Sequence, residues 1–370
     1  MATIPLVDLH AAHAEVAEEV SAGFRRVLDT VEFVGGEEVR AFEREYAAFS
    51  GLPYCVGVAN GTDALELSLR AVGVAPGAEV ILPANTFVAT AEAVARIGAR
   101  PVLADCDPVT LLLDEDQALA LHTPATAAIV PVHLYGQLAP MERLAEAGVP
   151  IVEDGAQSQG ATRDGQPCGS SGVVATSFYP GKNLGAYGDA GAVLTRDPSI
   201  ASHVRAMANH GGAAKYRHEV VGWNSRLDAL QAVVLRSKLS RLARWNEARR
   251  SAATRYDALL RPLDVRRPAV ADGNHHVWHL YVVRIPSDGT PERRDRVLAR
   301  LAAVGVGAGV HYPVPIHLLP AFAHLGYAAG KLPNAEAAAN EVLSLPMHPH
   351  ITMAQQEFVV WTLTQALRGY

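Results

Sequence analysis

Residues 177–193 read SFYPGKNLGAYGDAGAV, a run of small residues that holds one lysine, Lys182, between two strand-like segments. Glycine and alanine leave room for another molecule to approach the backbone. A lysine that stands alone in such a loop is usually a solvated surface charge, since lysine is rarely buried. The role of Lys182 therefore depends on which residues the fold brings to it.

Short apolar runs alternate with helix-like segments on both sides of this loop. Runs short enough to be buried strands occupy residues 79–83, 127–132, 149–154 and 191–195. The segments 63–72 and 89–97 have helical composition, and each is followed by a glycine, Gly73 or Gly98. This alternation is typical of a mainly parallel sheet covered by helices, so we predict an α/β core.

The composition changes after Gly222. Residues 227–260 are rich in Ala, Leu, Arg and Glu, which predicts long helices that leave the core. Two strand-like segments and a helix between them follow, at 279–284, 306–312 and 293–303. We place a boundary near Trp245, which gives a large domain over residues 1–245, including the N-terminal segment, and a small C-terminal α/β domain over 246–370.

Composition also narrows the class of protein. The 370 residues are 49% hydrophobic and 19% charged, as in an ordinary soluble globular protein. A net charge of −6 argues against a non-specific nucleic-acid binder, which needs a basic surface. Prolines interrupt the uncharged stretch from Gln117 to Met141, and the N-terminus lacks a secretory signal pattern, so we predict no membrane association.

The cysteines do not indicate a disulfide framework, and the histidines do not indicate a metal site. Cys55, Cys106 and Cys168 are odd in number and far apart, which favours a reducing cytoplasm over a disulfide framework. Histidines cluster in HHVWH at 275–279 and in MHPH at 347–350, but neither cluster has the helical HExxH pattern of a hydrolytic zinc site. We therefore predict no metal.

The Gly181-Lys182 pair suggests a phosphate-binding P-loop, which the neighbouring residues exclude. Thr176 stands where that motif requires glycine, and Asn183 stands where it requires Ser or Thr. Lysine also forms Schiff bases with carbonyl compounds and with pyridoxal phosphate (PLP) when the site desolvates the amine. That chemistry is the second interpretation of Lys182.

A PLP site needs a carboxylate at the pyridine nitrogen and hydrogen-bond donors for the phosphate. Asp154 ends an apolar strand at the edge where parallel sheets bind ligands, and Gln157 follows three positions later, as a donor to the ring's phenolic oxygen. Gly61 and Thr62 open a helix whose first amides suit a phosphate, and Phe87 could cover the ring. Each residue also has a purely structural interpretation, as a helix cap for Asp154, a capped helix start for Gly61 and Thr62, and core for Phe87.

Six motifs occur in an order that resembles a known family. They are GTDAL, ANTFVATAEAV, PVHLYGQ, VEDGAQSQGA, SFYPGKNLGAYGDAGAV and GWNSRLDALQA. The chain resembles the PLP-dependent sugar aminotransferases of the DegT/DnrJ/EryC1/StrS group, from PLVDL near the N-terminus to LSLPMHPH near the C-terminus. The resemblance implies PLP-dependent transferase fold type I, which is aspartate aminotransferase-like, and a homodimer with shared active sites.

The same resemblance implies roles for individual residues. Lys182 would bind PLP covalently and transfer the proton, Asp154 would pair with the pyridine nitrogen, and Gln157 would contact the ring oxygen. The phosphate would be held by Gly61, Thr62, Ser177 and, from the partner subunit, Asn224. An amino group would pass from L-glutamate to a keto-deoxysugar attached to a nucleoside diphosphate, thymidine diphosphate being the expected nucleotide.

The keto carbon is assigned on resemblance alone. VHYPVPIH at 310–317 resembles the branch that aminates C3, with amination of C4 on a dTDP or UDP sugar as the alternative. Residues predicted to contact the substrate are Tyr179, Lys215, Tyr216, His311, Tyr312 and His317. For each histidine, a structural hydrogen-bonding role is the other interpretation. A second function of another class, a non-catalytic PLP-binding regulatory protein, also stays open.

Overall fold

A computed structural model describes residues 3–170, 172–214 and 216–368. The helices are α1 (Leu9–Ala14), α2 (Ala17–Thr30), α3 (Gly36–Phe49), α4 (Gly61–Ala71), α5 (Val88–Ile97), α6 (Glu115–Ala120), α7 (Pro198–Ala208), α8 (Ala229–Leu260), α9 (Glu292–Ala303), α10 (Pro333–Glu341) and α11 (Met353–Arg368). The strands are β1 (Tyr54–Val58), β2 (Glu79–Pro83), β3 (Arg100–Ala104), β4 (Thr126–Ile129), β5 (Val152–Asp154), β6 (Thr162–Arg163), β7 (Gln166–Pro167), β8 (Val173–Ser177), β9 (Gly191–Thr195), β10 (Gly212–Ala214), β11 (Arg217–His218), β12 (Asn274–His275), β13 (Tyr281–Arg284) and β14 (Val342–Leu345). Short 3₁₀ helices lie at Leu134–Gly136, Leu144–Ala147, Ile316–Leu318 and Pro320–Leu325.

The central sheet is mainly parallel, as predicted. Strands β1-β9-β8-β5 and β3-β2-β4 form two hydrogen-bonded groups, and parallel bridges from Ile129 to Ile151 and from Val132 to Asp154 join β4 to β5. The resulting order is β1-β9-β8-β5-β4-β2-β3, in which β9 alone runs antiparallel to its neighbours. Its interior strands are buried on both faces, which explains their continuous apolar runs.

Helices cover both faces of the sheet. One apolar cluster joins the sheet to α4, α5 and α7, and another joins it to α3 and the first half of α8. At the end of α5, Gly98 adopts a φ of 81°, the left-handed conformation that glycine favours at a helix terminus. The parallel strands β2, β5 and β8 end at the same edge of the sheet, so the loops after Pro83, Asp154 and Ser177 meet there.

Helix α8 continues through the predicted domain boundary. It runs for 32 residues, and its second half packs with β13, β14, α9 and α11 in a separate apolar cluster that includes Tyr256 and Leu260. The boundary at Trp245 therefore falls inside one continuous helix and stays a prediction. Among the described residues, no helix is both long enough and apolar enough to cross a membrane.

The predicted strand at residues 306–312 is wrong. Only isolated bridges form there, from Val306 to Ile4 and from Gly309 to Ser344. Gly307 packs so closely on the N-terminal segment that an added Cβ would lie 2.8 Å from the backbone nitrogen of Leu6. Glycines in a strand weaken regular pairing and mark a close approach of another backbone, which here replaces the ladder.

Candidate active site

A cavity of about 620 Å³ opens where the loops after β2, β5 and β8 meet. It is lined by most of the predicted site residues: Gly61, Thr62, Phe87, Asp154, Gln157, Ser177, Tyr179, Lys182, His311 and Tyr312. The fold thus gathers into one place residues that are up to 250 positions apart, roughly, because parallel strands align their carboxyl ends. A ligand of drug size fits a cavity of this volume.

Asp154 is a buried carboxylate at the end of β5. The Thr90 hydroxyl donates to its Oδ2 at 2.8 Å, and the Ala156 amide donates to Oδ1 at 3.2 Å. Burial raises the pKa of Asp154 above its ordinary value, although these hydrogen bonds and the charge of Lys182 act in the opposite direction. A cation placed against Asp154 would stabilise its charged form.

Gln157 is fixed by two hydrogen bonds. Its Oε1 accepts from the Tyr135 amide at 2.6 Å, and its Nε2 donates to the Tyr312 hydroxyl at 3.0 Å. One N–H of the amide remains for a ligand in the cavity. Beside them, the ring of Phe87 lies 5.6 Å from that of Tyr312, and 53% of Phe87 is exposed, so an apolar face remains available to a planar ligand.

The N-terminus of α4 forms an anion cradle against the end of β8. Asn60 caps the helix by accepting from the Asp63 amide at 2.8 Å, while the amides of Gly61 and Thr62 precede the first intrahelical bonds. A Cβ on Gly61 would lie 2.6 Å from the Cβ of Ser177, so the close approach requires glycine. Backbone amides, two hydroxyls and the helix dipole together suit a phosphate.

Lys182 lies at the turn of the loop between β8 and β9. Its amide donates to the Tyr179 carbonyl at 2.8 Å, which fixes the backbone of the turn. Burial in the cavity lowers the pKa of the amine to about 8, and Asp154 limits that decrease. A fraction of the amine is therefore neutral and nucleophilic near neutral pH.

His279 also lines the cavity, although the sequence pattern raised it only as part of a histidine cluster. The Asn183 amide nitrogen donates to Asn246 Oδ1 and to the Val277 carbonyl, both at 3.0 Å, so Asn183 Oδ1 can only accept. His279 Nδ1, 3.3 Å from that oxygen, must carry the proton. Its Nε2 keeps a free lone pair, and burial with several nearby cations lowers the pKa of the ring.

Other predicted contacts lie outside the cavity lining. Asn224 accepts from Arg226 Nε at 3.0 Å, and Tyr216 is 85% exposed. His317 is buried, and its Nε2 pairs with Glu336 Oε1 at 3.0 Å. Lys215 lies outside the described residues. Their roles in substrate or cofactor binding stay predictions. Asp189, which the sequence patterns did not single out, lines the cavity.

The histidine clusters do not assemble a metal site within the described ranges. The single group with ligand atoms close enough there is His133, Glu153 and Cys168. Its geometry is that of a hydrogen-bonded buried carboxylate, because Glu153 Oε2 accepts from His133 at 2.9 Å, from the Cys168 thiol at 3.2 Å and from the Gly169 amide at 2.8 Å. The three donors satisfy this one oxygen, while the other carboxylate oxygen, Oε1, has no hydrogen-bond partner among the described residues.

A partly buried lysine with a lowered pKa, in one cavity with a buried carboxylate and an anion cradle, is the arrangement expected of the predicted family. The sequence profile of the DegT/DnrJ/EryC1/StrS aminotransferase family matches residues 14–364. The chain belongs to this family. The aminotransferase class predicted from the sequence is therefore confirmed.

Curated relatives of this aminotransferase cover nearly its whole length. One is a pleiotropic regulatory protein of Geobacillus stearothermophilus, 43% identical over 99% of both chains. Another is a dTDP-3-amino-3,4,6-trideoxy-alpha-D-glucose transaminase of Streptomyces venezuelae, 44% identical over 95% of this chain and 93% of the relative.

Solved structures confirm the predicted fold of this family member, PLP-dependent transferase fold type I. S. venezuelae DesV in complex with a ketimine intermediate matches with a TM-score of 0.96 and 42% identity over the whole of both chains. The NtdA protein of Bacillus subtilis with bound cofactor PMP matches with a TM-score of 0.91 and 30% identity, covering 100% of this chain and 86% of that one.

Proposed function

We propose that the protein transfers the amino group of L-glutamate to the C3 keto group of a nucleotide-linked deoxysugar, with PLP as cofactor. The observation that carries this proposal is the pair of Lys182 and Asp154 in one cavity, where burial lowers the pKa of the amine to about 8. The PMP-bound relative and the transaminase relative, which is named for a dTDP-3-amino sugar, support the cofactor and the substrate class.

Each part of PLP has a fitting group in the cavity. The first amides of α4 at Gly61 and Thr62, with the Ser177 hydroxyl, would hold the phosphate in a cradle that a Cβ on Gly61 would fill. Asp154 would pair with the pyridine nitrogen, and the second N–H of Gln157 Nε2 would donate to the ring oxygen. When bound, PLP supplies an electron sink for the bond that breaks at the α-carbon of the amino acid.

Lys182 would be both anchor and proton carrier. Its Nζ would hold the cofactor covalently at rest. Once the amino group of glutamate displaces it, the freed neutral amine would take the α-proton in the first half-reaction and would deliver a proton to the sugar carbon in the second. The lowered pKa suits both roles, because a general base works best with a pKa close to the operating pH. Asp154 keeps the pyridine nitrogen positively charged throughout.

A second copy of the chain would complete the site. Among the described residues that line the cavity, Lys182 is the only lysine or arginine, which leaves the diphosphate of the substrate without a cation. We therefore propose a homodimer in which Asn224 reaches the cofactor phosphate of the partner's site. Lys215, which lies outside the described residues, and Tyr216 are proposed to bind the diphosphate from the partner as well.

Visible absorption tests this function directly. PLP-loaded protein should lose the absorption band of the cofactor bound to Lys182 when L-glutamate is added, and a 3-keto nucleotide sugar should restore the band, whereas the matching 4-keto sugar should not. Lys182→Ala should abolish both changes, because no amine remains to carry the proton. Restoration by the 4-keto sugar alone would keep the mechanism and reverse the choice of carbon.

The regulatory alternative draws on the name of the Geobacillus relative. A regulatory protein that retained the fold would bind PLP at Lys182 without exchanging it with an amino donor. Borohydride reduction would fix PLP to Lys182 in either case, so it tests binding alone. Unreduced PLP-loaded protein that shows no spectral response to glutamate or to other amino acids would favour regulation over catalysis.

A further inference from the structure

One face of α8 fastens the loop that carries Lys182. Gln231 Oε1 accepts from the Tyr187 amide at 2.8 Å, Lys238 Nζ donates to the Gly185 carbonyl at 2.6 Å, and Asn246 Oδ1 accepts from the Asn183 side chain at 3.0 Å. These three α8 residues stand about two helical turns apart, so they share one face of the helix. All three hydrogen bonds go to the half of the loop that follows Lys182, residues 183–187.

The half of the loop before Lys182 packs against the half after it, so a change in either half would move Lys182. A Cβ on Gly185 would lie 2.2 Å from the Pro180 carbonyl oxygen, so the two halves of the loop are in direct contact. The Ala186 amide donates to the Phe178 carbonyl at 2.8 Å and closes the loop at its base. Lys182 lies at the turn between these two halves of the loop, so the position of its backbone depends on both.

Lys238 is a buried cation without an acidic partner among the described residues. It is 4% exposed, its ammonium lies 4.6 Å from the centre of the Tyr187 ring, and it bonds to the Gly185 carbonyl. Burial lowers the pKa of Lys238 to about 8. An unpaired buried ammonium destabilises a fold, and an apolar side chain of the same length would fill this space at a smaller cost.

We propose that Lys238 is a positioning residue for Lys182, an inference that rests on the function proposed above. Its bond to the Gly185 carbonyl holds the loop so that the amine of Lys182 stays in the cavity with Asp154, His279 and His311. Without Lys238, that carbonyl loses the donor it has within the described residues, and a buried carbonyl without a donor favours rearrangement of the loop. Burial of the Lys238 ammonium lowers the stability of the fold, and its role in positioning Lys182 explains why a lysine occupies this position.

The test compares Lys238→Met with a matched control on the same helix. Methionine keeps a long unbranched side chain without charge or donor. Leu260→Ala, at the end of α8, creates a cavity in the apolar cluster of β13, β14, α9 and α11, which contains no residue of the loop. Cofactor-free protein is treated with cyanate across a range of pH, and carbamylation of Lys182 is quantified by peptide mass spectrometry. Assignment is simple, because the chain has four lysines, the others being Lys215, Lys238 and Lys331.

The expected result separates function from stability. In Lys238→Met the midpoint for Lys182 should rise from about 8 by about one pKa unit, since a released loop is better solvated. PLP affinity should fall about tenfold while the melting temperature stays at or above that of the wild type. Leu260→Ala should melt lower with an unchanged midpoint. Lys238→Gln, which retains a donor, should lie between wild type and Lys238→Met, and it replaces methionine if that variant does not fold.

An unchanged midpoint and unchanged PLP affinity in Lys238→Met would overturn the positioning role, as would an equal change in Leu260→Ala. The carbamylation measurement needs no cofactor. It therefore decides the role of Lys238 even if the wild-type protein takes up no PLP at Lys182, a result that would overturn the proposed function instead.

Discussion

The amine of Lys182 has an environment that favours its uncharged form. Because its pKa lies near 8 in the folded chain and near 10.5 in the unfolded one, the native state gives up the proton first as pH rises. The desolvation cost of the ammonium is present below pH 8. This group's contribution to the stability of the cofactor-free protein therefore increases as pH rises from about 8 to about 10.5.

Uptake of PLP should follow the same titration. The nucleophile is the neutral amine, so the rate constant for covalent uptake should rise about tenfold between pH 7 and pH 9 and then level off. Stopped-flow absorption after mixing cofactor-free protein with PLP measures it. A rate that continues to rise steeply beyond pH 9 would mean that the amine is solvated and has an ordinary pKa.

Single residues were predictable where neighbours in the sequence define their chemistry. Asp154 ends a strand, whereas Gln157 and Lys182 lie in the loops that follow strands, and the fold brings all three to the cavity. His279 was not recognised as a cavity residue. The hydrogen bond that holds its ring joins it to Asn183, nearly a hundred residues earlier in the chain. Sequence spacing does not carry such a tertiary hydrogen bond.

At the scale of elements, the start of α4 is the part of the site most sensitive to side-chain volume. Gly61→Ala should weaken PLP binding at least about tenfold, because the new methyl group would press on Ser177 and close the phosphate cradle. Fluorescence or absorption titration of cofactor-free protein with PLP measures the change.

Gly77→Ala is the control for conformational strain. Gly77 has a φ of 83° and no atom within 4 Å of an added Cβ, so alanine there should lower stability and leave PLP affinity unchanged. Equal PLP affinities for Gly61→Ala and wild type would exclude the cradle as the phosphate site.

Helices and core strands were largely predictable, because their apolar runs and terminal glycines are local signals. The segment 306–312 was not, since its glycines allow the N-terminal segment to pack where a ladder would have formed. The domain boundary is harder to predict, because α8 passes through Trp245 without a break. Its uniform helical composition contains no local signal of the change from one apolar cluster to the next.

At the scale of the whole molecule, the proposed sharing of sites can be tested by complementation. Lys182→Ala and Asn224→Ala should each be nearly inactive alone. If Asn224 serves the partner's site, half of the randomly mixed dimers contain one intact site of two, so about one quarter of wild-type activity should return. The two variants are co-expressed with different affinity tags, and this value is measured on the mixture before the mixed dimer is separated.

The co-purified mixed dimer itself should show about half of wild-type activity, since every molecule then has one intact site. The Lys182→Ala protein paired with itself provides the baseline. A mixed dimer no more active than that baseline would mean that Asn224 acts within its own subunit.

The strand order also delays folding of the central sheet during synthesis on the ribosome. Strand β1 pairs in the sheet with β9, where Tyr54 lies opposite Thr195, so its hydrogen-bonding partner is made roughly 140 residues later. At ordinary rates of synthesis that interval lasts roughly ten to thirty seconds. Throughout it, the nascent chain exposes an unpaired apolar strand, which is the kind of segment that chaperones bind.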